Sequence, residues 1–476
     1  MSHVIRSATR SVLVALLAMI TAVVLAVGST ITAAVSLAAV ALIVPGTGTP
    51  NPANSTNYMQ NAVNYYIAPL DPACATVCTP EPVPYIAQFW PFPFAGWGGL
   101  NGAKWNVSVA SGVQSLNDQI DAANTADPSG DIVIFGYSQG ATVSSLVKKQ
   151  LADDNGGVIP GQYSFVLIGD PNRPNGGLFE RLAMLGTVPI LDATFGQPTP
   201  TDTTVLPAVN TTDIAFQYDG VSDFPANPLN ILADLNALAG FFYIHGTYLS
   251  PKGSDPSTEL PYGYTLAELQ TAMDCSQSPK NCQTYNDTLY ITVPNKVLPI
   301  MQPLLEFGAF TGTSAIVKPF VDLISPVTRV LIETGYDRSN YGRPSPFTIF
   351  TPIDPLKLTV DLAKAAVQGI RDALGDLGVA VPAAPAATTP ETTSTLAAKT
   401  SQPAAEKTAV EASSKPVQRK PVAAARPSAA AKPAEPTSGD DAKDTAESTT
   451  PKPVKKGSGK SGRPSAASAS AAKHAA

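Results

Sequence analysis

A serine lies between two glycines at the point where the chain changes from a continuous apolar run to an amphipathic pattern. The pentapeptide at 136–140 is Gly-Tyr-Ser-Gln-Gly; it follows the apolar residues 132–135, and apolar side chains recur at helical spacing through 141–151. This order predicts a strand, a tight turn and a helix, with the serine hydroxyl raised above the sheet edge. The context favours Ser138 as a nucleophile over the plainer alternative, an inert serine in a glycine-rich turn.

A serine hydroxyl is a weak nucleophile without a neighbouring base. The sequence has three histidines, and two of them stand apart from any predicted core: His3 precedes an apolar N-terminal run, and His474 lies near the last residue. His245 is therefore the candidate general base. It comes later in the chain than the serine, after a helix-compatible segment at 228–243, which is the order found in α/β hydrolases.

Three aspartates that follow predicted strands compete to orient His245. Asp223 lies in a loop after the strand predicted at 213–217, Asp219 is nearer the end of that strand, and Asp170 follows an earlier strand. The order serine, aspartate, histidine along the chain fits all three. We rank Asp223 first, then Asp219, then Asp170, and each also suits an ordinary turn beside Gly or Pro.

An acyl-transfer site also needs backbone amides that hold the developing oxyanion. The amide of Gln139 is one candidate, because the start of a helix offers free amides and positive partial charge. Thr47 is the second, in the Gly-Thr-Gly-Thr loop at 46–49 that follows an apolar strand. A simple tight turn is the alternative for that loop, and a phosphate-binding loop is disfavoured because no lysine follows it.

The elements around these residues predict an α/β fold. Buried apolar strands alternate with helices, which favours a central, mostly parallel sheet covered on both faces, as in the α/β-hydrolase fold. We assign the hydrolase domain to 36–376, with a core at about 40–270 and a helical extension at 271–376, which forms either a cap over the site or a flank that touches lipid. Residues 80–105, rich in Pro, Gly and aromatics, are expected to form an irregular packed loop.

The first 35 residues predict export. Arg6 and Arg10 precede a run at 12–27 that is almost entirely apolar, and small residues follow it. This order is typical of a signal peptide or a signal anchor at 1–35. We therefore expect an exported protein at the cell envelope, either secreted or held in the membrane through this segment. A buried N-terminal helix is the alternative.

The four cysteines occur as two local pairs, Cys74 with Cys78 and Cys275 with Cys282. An even number in close pairs favours two disulfide-closed loops in an oxidising compartment. Pairing across the two distant pairs stays open, and a four-cysteine zinc site is less favoured because the spacings differ from the usual ones. We expect no metal and no organic cofactor.

The C-terminal residues 377–476 contain no Phe, Tyr or Trp and are rich in Ala, Pro, Lys, Thr and Ser. Residues 381–476 contain 14 Lys or Arg and 8 Asp or Glu, a net charge of +6. The other 380 residues contain 17 Lys or Arg and 29 Asp or Glu, a net charge of −12. Such a tail cannot bury enough apolar area to fold, so we predict disorder. It serves either as a solvated spacer or as a basic contact for anionic envelope polymers, and no nucleic-acid partner is expected.

Four motifs resemble the mycobacterial PE-PPE domain: Leu-Ile-Val-Pro-Gly-Thr-Gly at 42–48, Gly-Tyr-Ser-Gln-Gly-Ala at 136–141, Gly-Asp-Pro-Asn-Arg-Pro-Asn-Gly-Gly at 169–177 and Gln-Tyr-Asp-Gly-Val-Ser-Asp-Phe-Pro at 217–225. The pentapeptide is also similar to that of cutinases. The resemblance covers roughly residues 40–270. It implies a serine esterase or acyltransferase that acts on acyl esters, lipid or glycolipid, at the cell envelope.

Members of that family with an N-terminal membrane segment look like the enzymes that move acyl chains onto trehalose glycolipids. The helical PE and PPE modules that name the family are not recognised before the domain, so their pairing partners are not assumed. The expected reaction is a two-step acyl transfer through a Ser138 acyl-enzyme. The alternative is a non-catalytic, envelope-associated lipid-binding protein on a hydrolase fold.

Overall fold

The computed structural model describes residues 39–75, 77–201, 209–249 and 263–379. The predicted export segment at 1–35 lies outside these ranges, as does the predicted disordered tail from residue 380 on. Within the described ranges, no helix combines the length and the apolar character that crossing a bilayer requires.

A seven-stranded, mostly parallel sheet forms the centre of the fold, as the sequence predicts. In chain order its strands are β1 (Ala39–Val44), β2 (Cys78–Pro82), β3 (Ile132–Tyr137), β4 (Tyr163–Ile168), β5 (Thr211–Phe216), β6 (Cys282–Tyr285) and β7 (Thr288–Val293). Their spatial order is β2-β1-β3-β4-β5-β7-β6. Every neighbouring pair is parallel except β6 and β7, which form an antiparallel hairpin. A separate two-stranded pair joins Thr187–Val188 to Ala193–Thr194.

Both faces of the sheet are covered, which explains why its strands are apolar at consecutive positions rather than at alternate ones. All six residues of β3 are buried. Val133 and Phe135 join the apolar cluster on one face, while Ile132 and Ile134 join the cluster on the other. Each face therefore has its own core, and β3 runs between them.

Ten helices lie among the described residues. They are α1 (Tyr58–Asn61), α2 (Ala68–Leu70), α3 (Trp105–Ala126), α4 (Gln139–Asp154), α5 (Leu178–Arg181), α6 (Ile231–Tyr243), α7 (Leu266–Met273), α8 (Gln302–Thr311), α9 (Ser314–Glu333) and α10 (Pro355–Asp376), with a π-helical stretch at Ala62–Ile67 between the first two. The helix predicted at 141–151 and the helix-compatible segment at 228–243 correspond to α4 and α6, and α8, α9 and α10 lie in the predicted helical extension. Short 3-10 turns connect several of these elements.

The boundary between a core at about 40–270 and a helical extension at 271–376 is wrong. β6 and β7 lie in the supposed extension, and β7 pairs in parallel with β5 along its whole length. The sequence did not predict this hairpin because it lies in a stretch whose other segments are helix-compatible. The predicted irregular loop at 80–105 likewise begins inside β2, an edge strand parallel to β1.

Two disulfides join the cysteines within each local pair, Cys74 to Cys78 and Cys275 to Cys282. The prediction of two small closed loops is thereby confirmed, and the cross-pairing that the sequence left open does not occur. One loop ends where β2 begins, and the other ends where β6 begins. Both edge strands of the sheet are therefore fixed at their first residue.

The glycine after the serine turn allows two backbone segments to approach each other closely. A Cβ on Gly140 would lie 2.3 Å from the carbonyl oxygen of Val44 and 2.5 Å from that of Pro45. Main-chain atoms cannot retreat as a flexible side chain can, so the end of β1 and the start of α4 would have to separate.

We expect Gly140→Ala to lower the free energy of unfolding by about 2–3 kcal/mol, because the added methyl group overpacks backbone against backbone. Chemical denaturation measures this. Gly161→Ala is the matched control, since a Cβ there meets nothing within 4 Å, and its change should stay within about 0.5 kcal/mol. Equal stability of the two variants would show that the close approach at Gly140 does not constrain the fold.

Candidate active site

The carboxyl ends of the parallel strands bring the candidate residues to one edge of the sheet. Thr47 follows β1, Ser138 follows β3, Asp170 follows β4 and Asp219 follows β5. In open α/β sheets, ligands bind in the crevice outside this edge. The four positions come from adjacent strands, which is why residues far apart in sequence meet here.

Ser138 lies in the tight turn between β3 and α4 with φ 55° and ψ −120°, a conformation that residues other than glycine rarely adopt. Its carbonyl oxygen accepts hydrogen bonds from the amides of Ala141 and Thr142, and its own amide donates to the carbonyl of Ile168. A Cβ on Gly136 would lie 2.7 Å from the Cα of Ala141. The small flanking residues thus let the helix fold back over the strand, and the hydroxyl is left partly exposed.

His245 begins a short 3-10 turn directly after α6, and its Nε2 lies 2.8 Å from the Oγ of Ser138. Its backbone carbonyl accepts a hydrogen bond from the hydroxyl of Tyr137. A Cβ on Gly169 would lie 3.1 Å from the imidazole Cε1, so the glycine after β4 leaves room for the ring. The residue is buried apart from 6% of its surface.

Asp219 lies on the other side of the imidazole. Its two carboxylate oxygens are 3.1 and 3.0 Å from Nδ1 of His245. The carboxylate is fully buried and also accepts hydrogen bonds from the Ser222 hydroxyl, the Val221 amide and the Tyr248 hydroxyl. Serine, histidine and aspartate therefore form one continuous hydrogen-bonded chain.

The environment of Asp219 favours its charged form. Burial alone raises the pKa of this carboxyl, but the charge of His245 and the hydrogen bonds from His245, Ser222 and Val221 outweigh that effect and lower the pKa. The carboxylate is therefore ionised at neutral pH and suited to holding a protonated imidazole.

Our first-ranked acid, Asp223, does not contact His245. Its carboxylate forms an ion pair with the guanidinium of Arg338, with Oδ1 2.9 Å from Nη1. It also accepts a hydrogen bond from the amide of Tyr218. The ranking is therefore revised to place Asp219 first. The reason is a sharp reversal at Tyr218, where φ is 69°: the loop turns Asp219 toward the histidine and leaves Asp223 on the side of Arg338.

The third candidate, Asp170, is also apart from the histidine. Its fully buried carboxylate accepts the Asn172 amide at 2.8 Å and the Thr199 hydroxyl at 2.6 Å. Burial raises its pKa to about 6, although these hydrogen bonds and the charge of Arg173 act in the opposite direction. Asp170 therefore holds the loop after β4 and does not orient His245.

Both candidate oxyanion donors lie beside Ser138. Gln139 is the first residue of α4, so its amide belongs to the helix end that has no intrahelical partner. A Cβ on Gly46 would lie 3.2 Å from the Cβ of Ser138, which places the loop of Thr47 against the serine. Among the described residues, the Thr47 amide makes no hydrogen bond.

The side chain of Gln139 has a role that the sequence did not reveal. It is fully buried, its Oε1 accepts the Ser108 hydroxyl at 2.8 Å, and its Nε2 donates to the carbonyl of Gln88 at 3.1 Å. The Ser108 hydroxyl in turn accepts the amide of Gln88. These hydrogen bonds thus connect the start of α4 to the loop that contains Gln88 and to α3.

Arg338 is the clearest residue that sequence reasoning missed. It donates to Asp223 and, through Nε at 2.7 Å, to Glu333, and it stacks over the ring of Tyr336. An arginine in a polar loop just after a long helix gives no signal from sequence alone. In the parts of the chain that the structure describes, no cluster of three or more His, Cys, Asp or Glu could hold a metal ion.

The match to a protein family agrees with this geometry. The family model described as PE-PPE domain matches residues 75–337, more than half of the chain. The chain belongs to the PE-PPE domain family. The matched range includes Ser138, Asp219 and His245, whereas Thr47 precedes it and Arg338 follows it by one residue. The resemblance noted on the sequence motifs is confirmed.

Three curated relatives come from Mycobacterium tuberculosis. The PPE family protein PPE42 (strain CDC 1551 / Oshkosh) is 35% identical over 73% of this chain and 53% of its own length. Esterase PE16 (strain ATCC 25618 / H37Rv) is 38% identical over 71% of this chain and 56% of its own length. The SL1278 acyltransferase Chp1 of the same strain is 34% identical over 47% of this chain and 50% of its own length. The chain thus spans about half the length of these relatives, and an esterase and an acyltransferase are among them.

The ion pair between Asp223 and Arg338 is expected to stabilise the PE-PPE domain. Arg338→Met leaves a carboxylate that is only 2% exposed without its cation, so unfolding should require about 3 kcal/mol less in chemical denaturation. Asp223→Asn combined with Arg338→Met should recover part of that loss, because residue 223 then carries no charge, although Glu333 still loses its contact with Arg338.

Lys149→Met is the control, since Lys149 pairs with Asp153 in an exposed i,i+4 contact that is worth less than about 0.5 kcal/mol. If Arg338→Met were no more destabilising than Lys149→Met, the pair would have no structural role.

Proposed function

We propose that this protein is a serine esterase or acyltransferase in which Ser138 is the nucleophile, His245 the general base and Asp219 the residue that orients the histidine. The observation that carries the proposal is the continuous hydrogen-bonded chain from Ser138 Oγ through His245 to the Asp219 carboxylate. A serine held at positive φ, a base on its hydroxyl and a buried carboxylate behind the base are the parts that activate a serine.

In the first step, His245 Nε2 accepts the proton of Ser138 as the oxygen attacks the carbonyl carbon of an acyl ester. The negative charge that develops on the carbonyl oxygen is held by the amides of Gln139 and Thr47, and the positive partial charge at the start of α4 adds to this. The tetrahedral intermediate then collapses, the alcohol leaves with the proton from His245, and the acyl group stays on Ser138.

In the second step, an acceptor hydroxyl replaces the alcohol. His245 takes the proton of water or of a sugar hydroxyl, the acceptor oxygen attacks the acyl-enzyme, and Ser138 recovers its proton. Water gives an esterase and a sugar hydroxyl gives an acyltransferase. Relatives named as esterase PE16 and as acyltransferase Chp1 support both acceptors.

Asp219 acts through the histidine. Its carboxylate fixes Nδ1 as the protonated nitrogen, so that Nε2 is free to accept the serine proton, and it stabilises the imidazolium that forms. The hydroxyls of Ser222 and Tyr248 hold the carboxylate in this position. Asp223 contributes indirectly, because its contact with the Tyr218 amide fixes the loop that carries Asp219.

We further propose that the protein works outside the cytoplasm on lipid or glycolipid esters of the cell envelope, and that its N-terminal segment directs it there. Two disulfides support an oxidising compartment. The apolar run at 12–27 behind Arg6 and Arg10 supports export. The basic end of the tail, beyond the described residues, is a candidate contact for anionic envelope polymers.

Hydrolysis of p-nitrophenyl esters by the full chain tests the mechanism. Ser138→Ala and His245→Ala should each lower kcat by about 10⁴-fold or more, and Asp219→Asn by about 10⁴-fold, because the base loses its orientation. Asp223→Asn should cost much less than Asp219→Asn, since Asp223 does not contact the histidine. Lys149→Ala, in an exposed helical ion pair, serves as the control.

A fluorophosphonate probe separates the enzyme from a non-catalytic lipid-binding protein. Labelling that is lost in Ser138→Ala supports the enzyme whatever its natural acceptor. Folded wild-type protein that neither labels nor turns over any ester would favour the binding protein. An Asp223→Asn defect as large as that of Asp219→Asn would contradict our choice of acid.

A further inference from the structure

Four aromatic side chains form a bridge beside the imidazole of His245, and we call them the aromatic bridge: Phe94, Trp97, Phe241 and Phe242. The Phe94 ring lies 5.0 Å from that of Trp97, 5.9 Å from Phe241 and 6.4 Å from Phe242, measured between ring centroids. Phe241 in turn stacks on the imidazole at 6.0 Å with an interplanar angle of 15°. The bridge therefore begins at the reacting residues.

The loop that supplies Phe94 is anchored on the oxyanion side of the site. The Gly48 amide donates to the carbonyl of Ala87 at 2.7 Å, and a Cβ on Gly96 would lie 2.4 Å from the carbonyl oxygen of Gly48. The loop thus packs directly on the loop of Thr47. Since Phe241 and Phe242 belong to α6, the aromatic bridge spans from the oxyanion side to the histidine side.

An apolar stripe continues from the bridge along α6. Four large apolar side chains, spaced four, three and four residues apart, share one face of the helix and are between 49% and 62% exposed: Ile231, Leu235, Leu238 and Phe242. The opposite, buried face carries small side chains and an asparagine: Ala233, Asn236, Ala237 and Gly240. This arrangement reverses the usual one, in which a surface helix turns its large apolar side chains inward.

The stripe has the length and the polarity of an extended acyl chain. A helix rises about 1.5 Å per residue, so the distance from Phe242 to Ile231 is about 16 Å. Asp234 is the single charged residue of α6 in the sequence, and it flanks the stripe, three residues after Ile231 and four before Leu238. Exposed apolar side chains that form a continuous path mark a binding surface more often than scattered ones do.

We propose that the aromatic bridge and the α6 stripe bind the acyl chain of the substrate, and that the protein therefore selects long-chain over short-chain acyl esters. This rests on the proposed function, because the acyl group must be attached at Ser138. A chain fixed there passes the bridge as it leaves the site, and each methylene that contacts the stripe is removed from water. The stripe connects through the aromatic bridge to His245, which favours this occupant over a second copy of the protein.

The test compares kcat/KM for p-nitrophenyl palmitate, octanoate and acetate with the full chain under one detergent condition. Phe242→Ala and Phe94→Ala should each lower the ratio of palmitate to acetate by about tenfold, the scale of a lost apolar contact. Leu235→Ser with Leu238→Ser should lower the ratio of palmitate to octanoate, because only the longer chain reaches that far. Phe350→Ala is the matched control: it is 81% exposed on the loop before α10, and its ratios should not change.

Binding without turnover separates this inference from the proposed function. On the Ser138→Ala background, the fluorescence of cis-parinaric acid reports occupancy of the stripe, and Phe242→Ala should weaken its binding about tenfold. If the Ser138→Ala protein shows stripe-dependent binding while the wild-type protein hydrolyses no ester, the acyl site stands and the proposed function falls.

Unchanged ratios and unchanged binding in all stripe variants would overturn the acyl site and leave the esterase intact. A shift in sedimentation coefficient in these variants, with unchanged chain-length preference, would assign the stripe to a contact between copies and would also overturn the inference.

Discussion

The rest of the site depends on one constraint, the close approach of three backbones at the serine turn. The end of β1, the end of β3 and the start of α4 meet where Gly136 and Gly140 carry no side chain. This contact holds Ser138 at positive φ, aims the amides at the start of α4, and places the loop of Thr47 against the serine. The proposed nucleophile and oxyanion donors are thus arranged by packing of main chain on main chain, which leaves little freedom for them to move independently.

The acid is positioned by a different and more distant set of contacts. Its loop follows β5, and Arg338, which comes after α9, pairs with Asp223 in the same loop. Arg173, in the loop after β4, contacts the rings of Tyr290 in β7 and Tyr341 beyond α9. The C-terminal segments therefore hold the loops of the site in place, and they are part of the α/β domain itself.

The sequence predicted the features that depend on local chemistry. The strand, turn and helix around Ser138, the role of His245 as the candidate base and the local cysteine pairs all follow from short-range patterns. Asp219 and Asp223 could not be separated in this way, because both lie in one loop and the choice depends on the reversal at Tyr218 and on the distant Arg338. The hairpin of β6 and β7 could not be predicted for a related reason. Its partner strand, β5, lies about 70 residues earlier in the chain, so no short-range pattern shows the pairing.

The position of Arg338 has a consequence for the order in which the site is assembled. As the chain is synthesised from its N-terminus, Ser138 and His245 emerge well before β7 and Arg338 do. The Asp219 loop follows β5, and the neighbour of β5, strand β7, is complete only when Thr288–Val293 has emerged. Arg338, which pairs with Asp223 in the same loop, emerges about 45 residues later still. Ser138 and His245 thus exist in the growing chain long before the loop of Asp219, which contacts the histidine, is held in place. A partly made chain would therefore contain the serine and the histidine before the loop that carries Asp219 has its neighbours in the folded domain.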